Sequence, residues 1–392
     1  MSYKTGTATD YADLLNTLDT YLTGTGKCLS PQFTGAGNGL IVNLQGGAGS
    51  VAENITITFT APTTFDVAGS SSGAIGSGVL GTAFASAQVN FQINLGSVAF
   101  IAGDVFTFAT TPPWTSMRRV AGSEMIWQAP GNQNTDQILV GAITFSSVSA
   151  DYYNWRLGGF TGFDPAVPFV NQAGYVGGAG QAYPSPVLNL WQNGIPYWIV
   201  ANGRRVIVVA RISTVYMMAY LGFMNSYMSP GTFPYPLIVG GSEAWYTEPA
   251  YNDSRWRWSY GGGELHNFPW GYYQTFSYPY QSPLRLRLAS GYWNAFSKYY
   301  SYNPGSGFGR LWPYAYGMNG WAKNLDGGYS MLPIVMHDVS QPNIWGELDG
   351  VEAITGFENG AENTVSIGSS LYLVVPNTFR ASNVDYCAVK LI

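Results

Sequence analysis

Two histidines, His266 and His337, supply the only imidazoles of this 392-residue chain, so any catalytic triad or nitrogen-ligated metal has to use one of them. Each lies beside a carboxylate, in Glu264-Leu265-His266 and in His337-Asp338. Such polar pairs arise by chance on many loops, and neither is expected to be catalytic. Glu347, Asp349 and Glu352 lie close enough in sequence to supply the two carboxylates of glycoside hydrolysis. Asp349-Gly350, however, reads as turn chemistry rather than as an acid or base. Gly69-Ser70-Ser71-Ser72-Gly73 has the form of a nucleophile elbow but lacks the strand-to-helix setting. Gly35-Ala36-Gly37-Asn38-Gly39 has the glycines of a phosphate loop without the Lys-Ser/Thr ending or a following helix. Cys28 and Cys387 match no zinc spacing and read as buried free thiols, with a single bond between them as the alternative. The expectation is a protein that is not an enzyme and needs neither cofactor nor metal.

Binding chemistry is better represented. Trp, Tyr and Gly recur through residues 245–321, where Trp256, Trp258, Tyr260, Trp270, Tyr272, Tyr273 and Trp293 are candidates for a subunit interface or for stacking against sugar rings. Both roles need a flat apolar partner, and nearby Arg, Asp and Glu suit either. Packing inside a large β core is the plainer use of the same residues.

The elements that must position these residues are mostly strands. One amphipathic helix is predicted near the start, with Tyr11, Leu14, Leu15, Leu18, Tyr21 and Leu22 on one face. Thr9 is expected to cap it and Gly24 to end it. Ile55, Ile57 and Phe59 alternate with threonines, and Val89, Phe91, Ile93 and Leu95 repeat that period, as do Phe106 and Phe108. The Gly/Ser-rich stretch 69–81 between them is expected to be a loop. Asn202-Gly203, Asp349-Gly350 and Ser290-Gly291 mark three hairpins, and Ser370–Val375 and Tyr386–Leu391 are two more strand candidates.

The predicted architecture is therefore mainly β. Residues 1–52 form a helix and linker, 53–115 a small β-sandwich-like domain, and 116–392 a larger β-rich domain with long aromatic loops at 245–321. Charged residues make up 10% of the chain, against about a quarter in ordinary soluble proteins. The abundance of aromatic residues argues against disorder. A surface this poor in charge suits a protein packed against copies of itself or other partners. The net charge of −5 offers no footprint for nucleic acid. No apolar run approaches the length needed to span a bilayer as a helix, so no membrane insertion is expected. Met1-Ser2-Tyr3-Lys4 opens without an apolar signal region, and synthesis in a cytoplasm is expected.

The segment Asp151-Tyr152-Tyr153-Asn154-Trp155-Arg156-Leu157-Gly158-Gly159-Phe160-Thr161-Gly162 resembles a group of tailed-bacteriophage and prophage virion proteins. So do Pro196–Arg205, Ser213–Tyr216, Tyr220–Phe223 and Pro234–Leu237, and the closing Asn343–Lys390 with Gly346-Glu347-Leu348-Asp349-Gly350. The resemblance is concentrated in residues 123–245 and 343–392. It implies a structural component of the virion, in the tail or baseplate, whose partners are other virion proteins and copies of itself in a threefold or sixfold arrangement. It carries no catalytic residues. A receptor-binding module that stacks host-surface glycans, and a capsid-associated structural protein, are the alternatives.

Overall fold

A computed structural model describes residues 2–131, 137–178, 185–242, 268–270, 284–297, 309–313, 323–338, 343–368, 370–378 and 383–392. The protein is mainly β, with a single α-helix among the described residues. That helix, Tyr11–Gly24, turns Leu14, Leu15, Leu18, Tyr21 and Leu22 inward. Asp10 caps it, rather than Thr9: its Oδ1 accepts from the amides of Ala12 and Asp13, both at 2.8 Å. A carboxylate can take two amides at once and also suits the positive end of the helix dipole. The Thr9 amide instead donates to Asp13 Oδ2 at 2.8 Å.

The first unit after the helix is a sandwich of two sheets. Lys27–Cys28, Val105–Thr111, Glu53–Ala61, Thr64–Gly69 and Gly73–Val79 lie side by side in that order, with Gln32–Thr34 also on Val105–Thr111. Leu40–Gly46, Val89–Asn94 and Ala83–Ala85 form the facing sheet. Alternate residues meet in one core, where Phe59 stacks on Phe100 with ring centroids 4.0 Å apart. The unit begins at residue 27 rather than 53, because Cys28, Ile41 and Leu44 belong to that core.

The stretch 69–81 is a hairpin and not a loop. Gly73–Val79 pairs antiparallel with Thr64–Gly69, and Gly73 at the turn takes a φ of +69°. Glycine weakens a strand but does not forbid one when a neighbour supplies the ladder.

The larger body joins a five-stranded meander to a fourteen-stranded sheet. The meander is Thr115–Val120, Glu124–Ala129, Ile138–Ser147, Tyr152–Phe160 and Val187–Leu190. The long sheet opens with Ser2–Ala8 and continues through Ile195–Ala201, Arg205–Ile212 and Val215–Phe223. In Arg205–Ile212, Val206, Val208 and Ala210 face the helix and meander, whereas Ile207 and Val209 face a second core. Covered on both faces, such a strand has to be apolar throughout, which explains the unbroken run Val206–Ala210. Leu348, Val351, Leu373 and Val389, from the far end of the same sheet, close that second core, so the sheet curls back on itself.

Two of the three predicted hairpins form. Leu284–Arg287 and Trp293–Ser297 pair around Gly291. Ile195–Ala201 and Arg205–Ile212 also pair, but Asn202 stands at the first corner of the turn. Its Oδ1 accepts from the amides of Arg204 (2.7 Å) and Arg205 (3.0 Å). Asp349-Gly350 makes no hairpin. It lies within one strand, Ile344–Ala353, where the pairing steps from Val335↔Glu347 to Pro333↔Glu352 and Leu348–Val351 form a bulge. Ser370–Pro376 and Tyr386–Lys390 form the two closing strands and pair with each other. Within the predicted aromatic loop region 245–321, Leu284–Arg287, Trp293–Ser297 and Gly309–Trp312 are instead strands of the long sheet.

Candidate interaction surface

The sandwich, residues 27–111, contains only four charged residues: Lys27, Glu53, Asp66 and Asp104. Three are buried. Lys27 Nζ reaches the carbonyls that end the helix, those of Tyr21 (2.8 Å) and Leu22 (3.3 Å), and also that of Thr25. Burial lowers this amine to about 7. Glu53 holds the 69–73 turn through the amides of Ser71 (3.0 Å) and Ser72 (2.9 Å) and the Ser72 hydroxyl (2.7 Å). Burial opposes ionisation of Glu53, but these donors outweigh it and bring the carboxyl below its ordinary range. Asp104 gathers the amides of Ala36 (2.9 Å), Gly37 (3.1 Å) and Ile101 (3.1 Å) and is lowered for the same reason, against its own burial.

Each buried charge thus organises backbone within or beside the unit. Asp66 is the one charged side chain that the sandwich exposes, and the Ser77 hydroxyl donates to it at 2.6 Å. A surface with one charge over 85 residues is far below the quarter or more that keeps a free domain soluble. Apolar side chains stand out in its place. Val79, Leu95, Val98 and Ile101 are about half exposed. They gather at one end of the sandwich, where the Gly81 amide donates to the Ile93 carbonyl and the Gly103 amide to the Phe59 carbonyl, both at 2.8 Å. The low overall charge pointed toward contact surfaces, but its concentration in residues 27–111 was not read from the sequence. Counting charges along the chain would have found it.

Of the seven aromatic candidates, Trp270 and Trp293 are described, and both are buried. Trp270 belongs to the second core. Trp293 packs in the first and donates from Nε1 to the Gly174 carbonyl at 3.0 Å. Neither ring is placed to meet a sugar or a neighbouring subunit. An indole donor can be satisfied by a backbone carbonyl inside a core, and no sequence pattern distinguishes such a Trp from an exposed one. Trp256, Trp258, Tyr260, Tyr272 and Tyr273 lie outside the described residues, as do Glu264 and His266.

Among the described residues, the carboxylates considered for catalysis are engaged in structural contacts. His337 is half-buried in the strand Leu332–Asp338. Glu347 accepts from the Tyr227 hydroxyl at 2.6 Å, and Glu352 from the Tyr372 hydroxyl at 3.2 Å. Burial raises Glu352. Asp349 accepts at Oδ2 from Arg205 Nε (3.1 Å) and Asn202 Nδ2 (2.6 Å). Burial acts to raise Asp349, yet the adjacent Arg205 and Asn202 hold it below its ordinary value. Because Trp114 Nε1 also donates to the Asn202 carbonyl (2.9 Å), this cluster fastens the 195–212 hairpin to the bulged strand 344–353. Its parts lie some 145 residues apart, and no local pattern announces it. Cys28 and Cys387 are free and buried. Among the described residues, no group of three or more His, Cys, Asp or Glu side chains is arranged to hold a metal ion. No helix among them is long and apolar enough to cross a membrane.

No family model matches the sequence, and no curated protein matches it. Solved structures that match include two crystal forms of Xanthomonas campestris FlgL. One is 25% identical over 22% of this chain and 29% of that chain, with a TM-score of 0.19. The other is 22% identical over 24% and 33%, with a TM-score of 0.18. The matched part spans about a third of the FlgL chains or less, and likeness at these scores carries no argument about fold or role.

Proposed function

We propose that this chain is a structural building block of a tailed-phage virion, in the tail or baseplate, acting through contacts with copies of itself and with other virion proteins. The observation that carries the assembly reading is the sandwich surface, with one exposed charge and four exposed apolar side chains at one end. Exposed apolar side chains gathered in one place mark contact sites, and an uncharged surface lets identical subunits approach without repulsion. The tail, as against another part of the particle, rests on the resemblance carried by residues 123–245 and 343–392. A threefold or sixfold ring of copies is the arrangement this reading expects.

Immunogold electron microscopy of purified particles, with an antibody raised against residues 123–392, tests the proposal. Label confined to the tail end supports it. Label on the head, or none on intact particles, overturns it.

A further inference from the structure

A sheet edge is a row of unpaired amides and carbonyls, and proteins that stay monomeric shorten it, charge it, bury it or cover it. Several edges among the described residues follow that rule, although Leu40–Gly46, an uncharged edge of seven residues, is only partly buried. Ser2–Ala8 carries Lys4, and Thr115–Val120 carries Arg118 and Arg119. Val187–Leu190 is four residues long and buried, and Lys27–Cys28 is two residues long and buried. Thr364–Ile367 spans four residues.

Gly73–Val79 departs from it. This seven-residue strand ends its sheet, and five of its residues are exposed and two half-buried. It reads Gly-Ala-Ile-Gly-Ser-Gly-Val, with no charge and no proline. Among the described residues, its only ladder partner is Thr64–Gly69. The Leu80 amide donates to the Thr63 carbonyl at 2.8 Å, which makes that pair a hydrogen-bonded one. Counting back along the antiparallel register, Phe65↔Gly78 is bonded too, while Thr64↔Val79 and Asp66↔Ser77 are not. The amide and carbonyl of Ser77 and the amide of Val79 therefore point outward, away from their own sheet, while the Val79 carbonyl is taken by the Thr82 amide at 3.1 Å.

We infer that Gly73–Val79 is an assembly edge that pairs antiparallel with the same strand of a second copy. This rests on the assembly reading above and adds a two-fold contact that joins copies in pairs, distinct from the contacts that would close a threefold or sixfold ring. A second copy supplies an edge of equal length, equally free of charge, and a two-fold axis sets the two antiparallel. Gly, Ala and Ser at five of the seven positions place little bulk in the way of a strand about 4.8 Å distant. The nearby charge, Asp66, is already engaged by Ser77. A charged partner would find nothing on this edge to answer it.

The test uses two full-length variants, Ala74→Lys/Val79→Lys and Ala74→Glu/Val79→Glu, alone and mixed. The substituted side chains are exposed in the wild type, and circular dichroism checks that each variant keeps its fold. Sedimentation of the wild-type chain should show concentration-dependent dimers or multiples of them. Either variant alone should weaken association at least about tenfold, since like charges then face each other across the pair. Mixing the two should restore it, with native mass spectrometry showing the mixed species. Association of the Lys variant at wild-type strength overturns the edge and leaves assembly through another surface standing. Weakening without rescue in the mixture points to a different partner for the strand and also overturns the proposal. A wild-type chain that stays monomeric overturns it too, while particle labelling judges the virion reading separately.

Discussion

The sandwich and the larger body solve the problem of a low-charge chain in opposite ways. The sandwich has no Trp, Tyr, Arg or His, and its core is built on phenylalanines, which need no hydrogen-bond partner. Its three buried charges are spent on turns and the helix end, and its outside is left nearly neutral. All 13 tryptophans of the sequence lie outside residues 27–111, and in the larger body Trp114, Trp127 and Trp155 are buried and donate to Asn202, Asp19 and Tyr11. Arg205 is buried there against Asp349, while ion pairs such as Arg211–Glu362 and Lys323–Glu358 remain in contact with water. The difference teaches that poverty in charge has two meanings. In the larger body it reflects strands such as Arg205–Ile212 and Val215–Phe223, buried on both faces, whereas in the sandwich it describes the surface.

The most damaging way to break this contrast is at the Arg205 pair. Asp349→Ala would leave a fully buried guanidinium without its carboxylate, at a cost of about 3 to 5 kcal/mol. Tryptophan emission reports only on residues outside the sandwich, so the unfolding midpoint it follows in urea should fall while peptides from residues 27–111 keep their amide protection. An unchanged midpoint would mean that the cluster fastens nothing.

A smaller effect is expected at Lys27, where the helix meets the sandwich. Its folded value of about 7 lies below the ordinary 10.5. Between these values the unfolded chain holds a proton that the folded chain has released, so stability rises with pH. Cys28, pushed up to about 11 by burial, works in the opposite direction above its ordinary 9.0. The clean window is therefore about pH 7 to 9. Lys27→Met should flatten the slope of unfolding free energy against pH in that window, measured by chemical denaturation. An unaltered slope would place the pH dependence elsewhere.

The smallest effect sharpens the contrast. Asp66→Asn removes the sandwich's one exposed charge and should change stability by no more than about 0.5 kcal/mol. Self-association, followed by sedimentation, should be retained or strengthened. A chain that dissociates on losing Asp66 would show that this charge, rather than the neutral surface around it, makes the contact.

Much of the fold was legible because its signals are local. The helix face from Tyr11 to Leu22, the alternation at Ile55–Phe59 and Val89–Ile93, and the apolar run Val206–Ala210 each state their own geometry. Turns were read less well. Asp349-Gly350 has the composition of a hairpin, but pairing with Leu332–Asp338 and the Arg205 contact hold it in a bulged strand. The stretch 69–81 has the composition of a loop, but Glu53 pins its turn and Thr64–Gly69 supplies a ladder. The boundary at residue 27 was hidden because Lys27–Cys28 and Gln32–Thr34 are too short to show a period. Trp270 and Trp293 were misplaced for a related reason: residue type gives no direction, and only packing decides whether an indole faces the core. The proposed contact surface is marked by an absence of charge, which appears only when a whole unit is compared with its neighbour.

The central claim is that the sandwich surface is covered in the working assembly. Amide hydrogen exchange, compared between the dilute isolated chain and purified particles, tests it most directly. The account predicts slower exchange in the particle at residues 73–79 and 95–103, with little change in the already buried strands 195–223. Equal exchange at 73–79 and 95–103 in both states would contradict it.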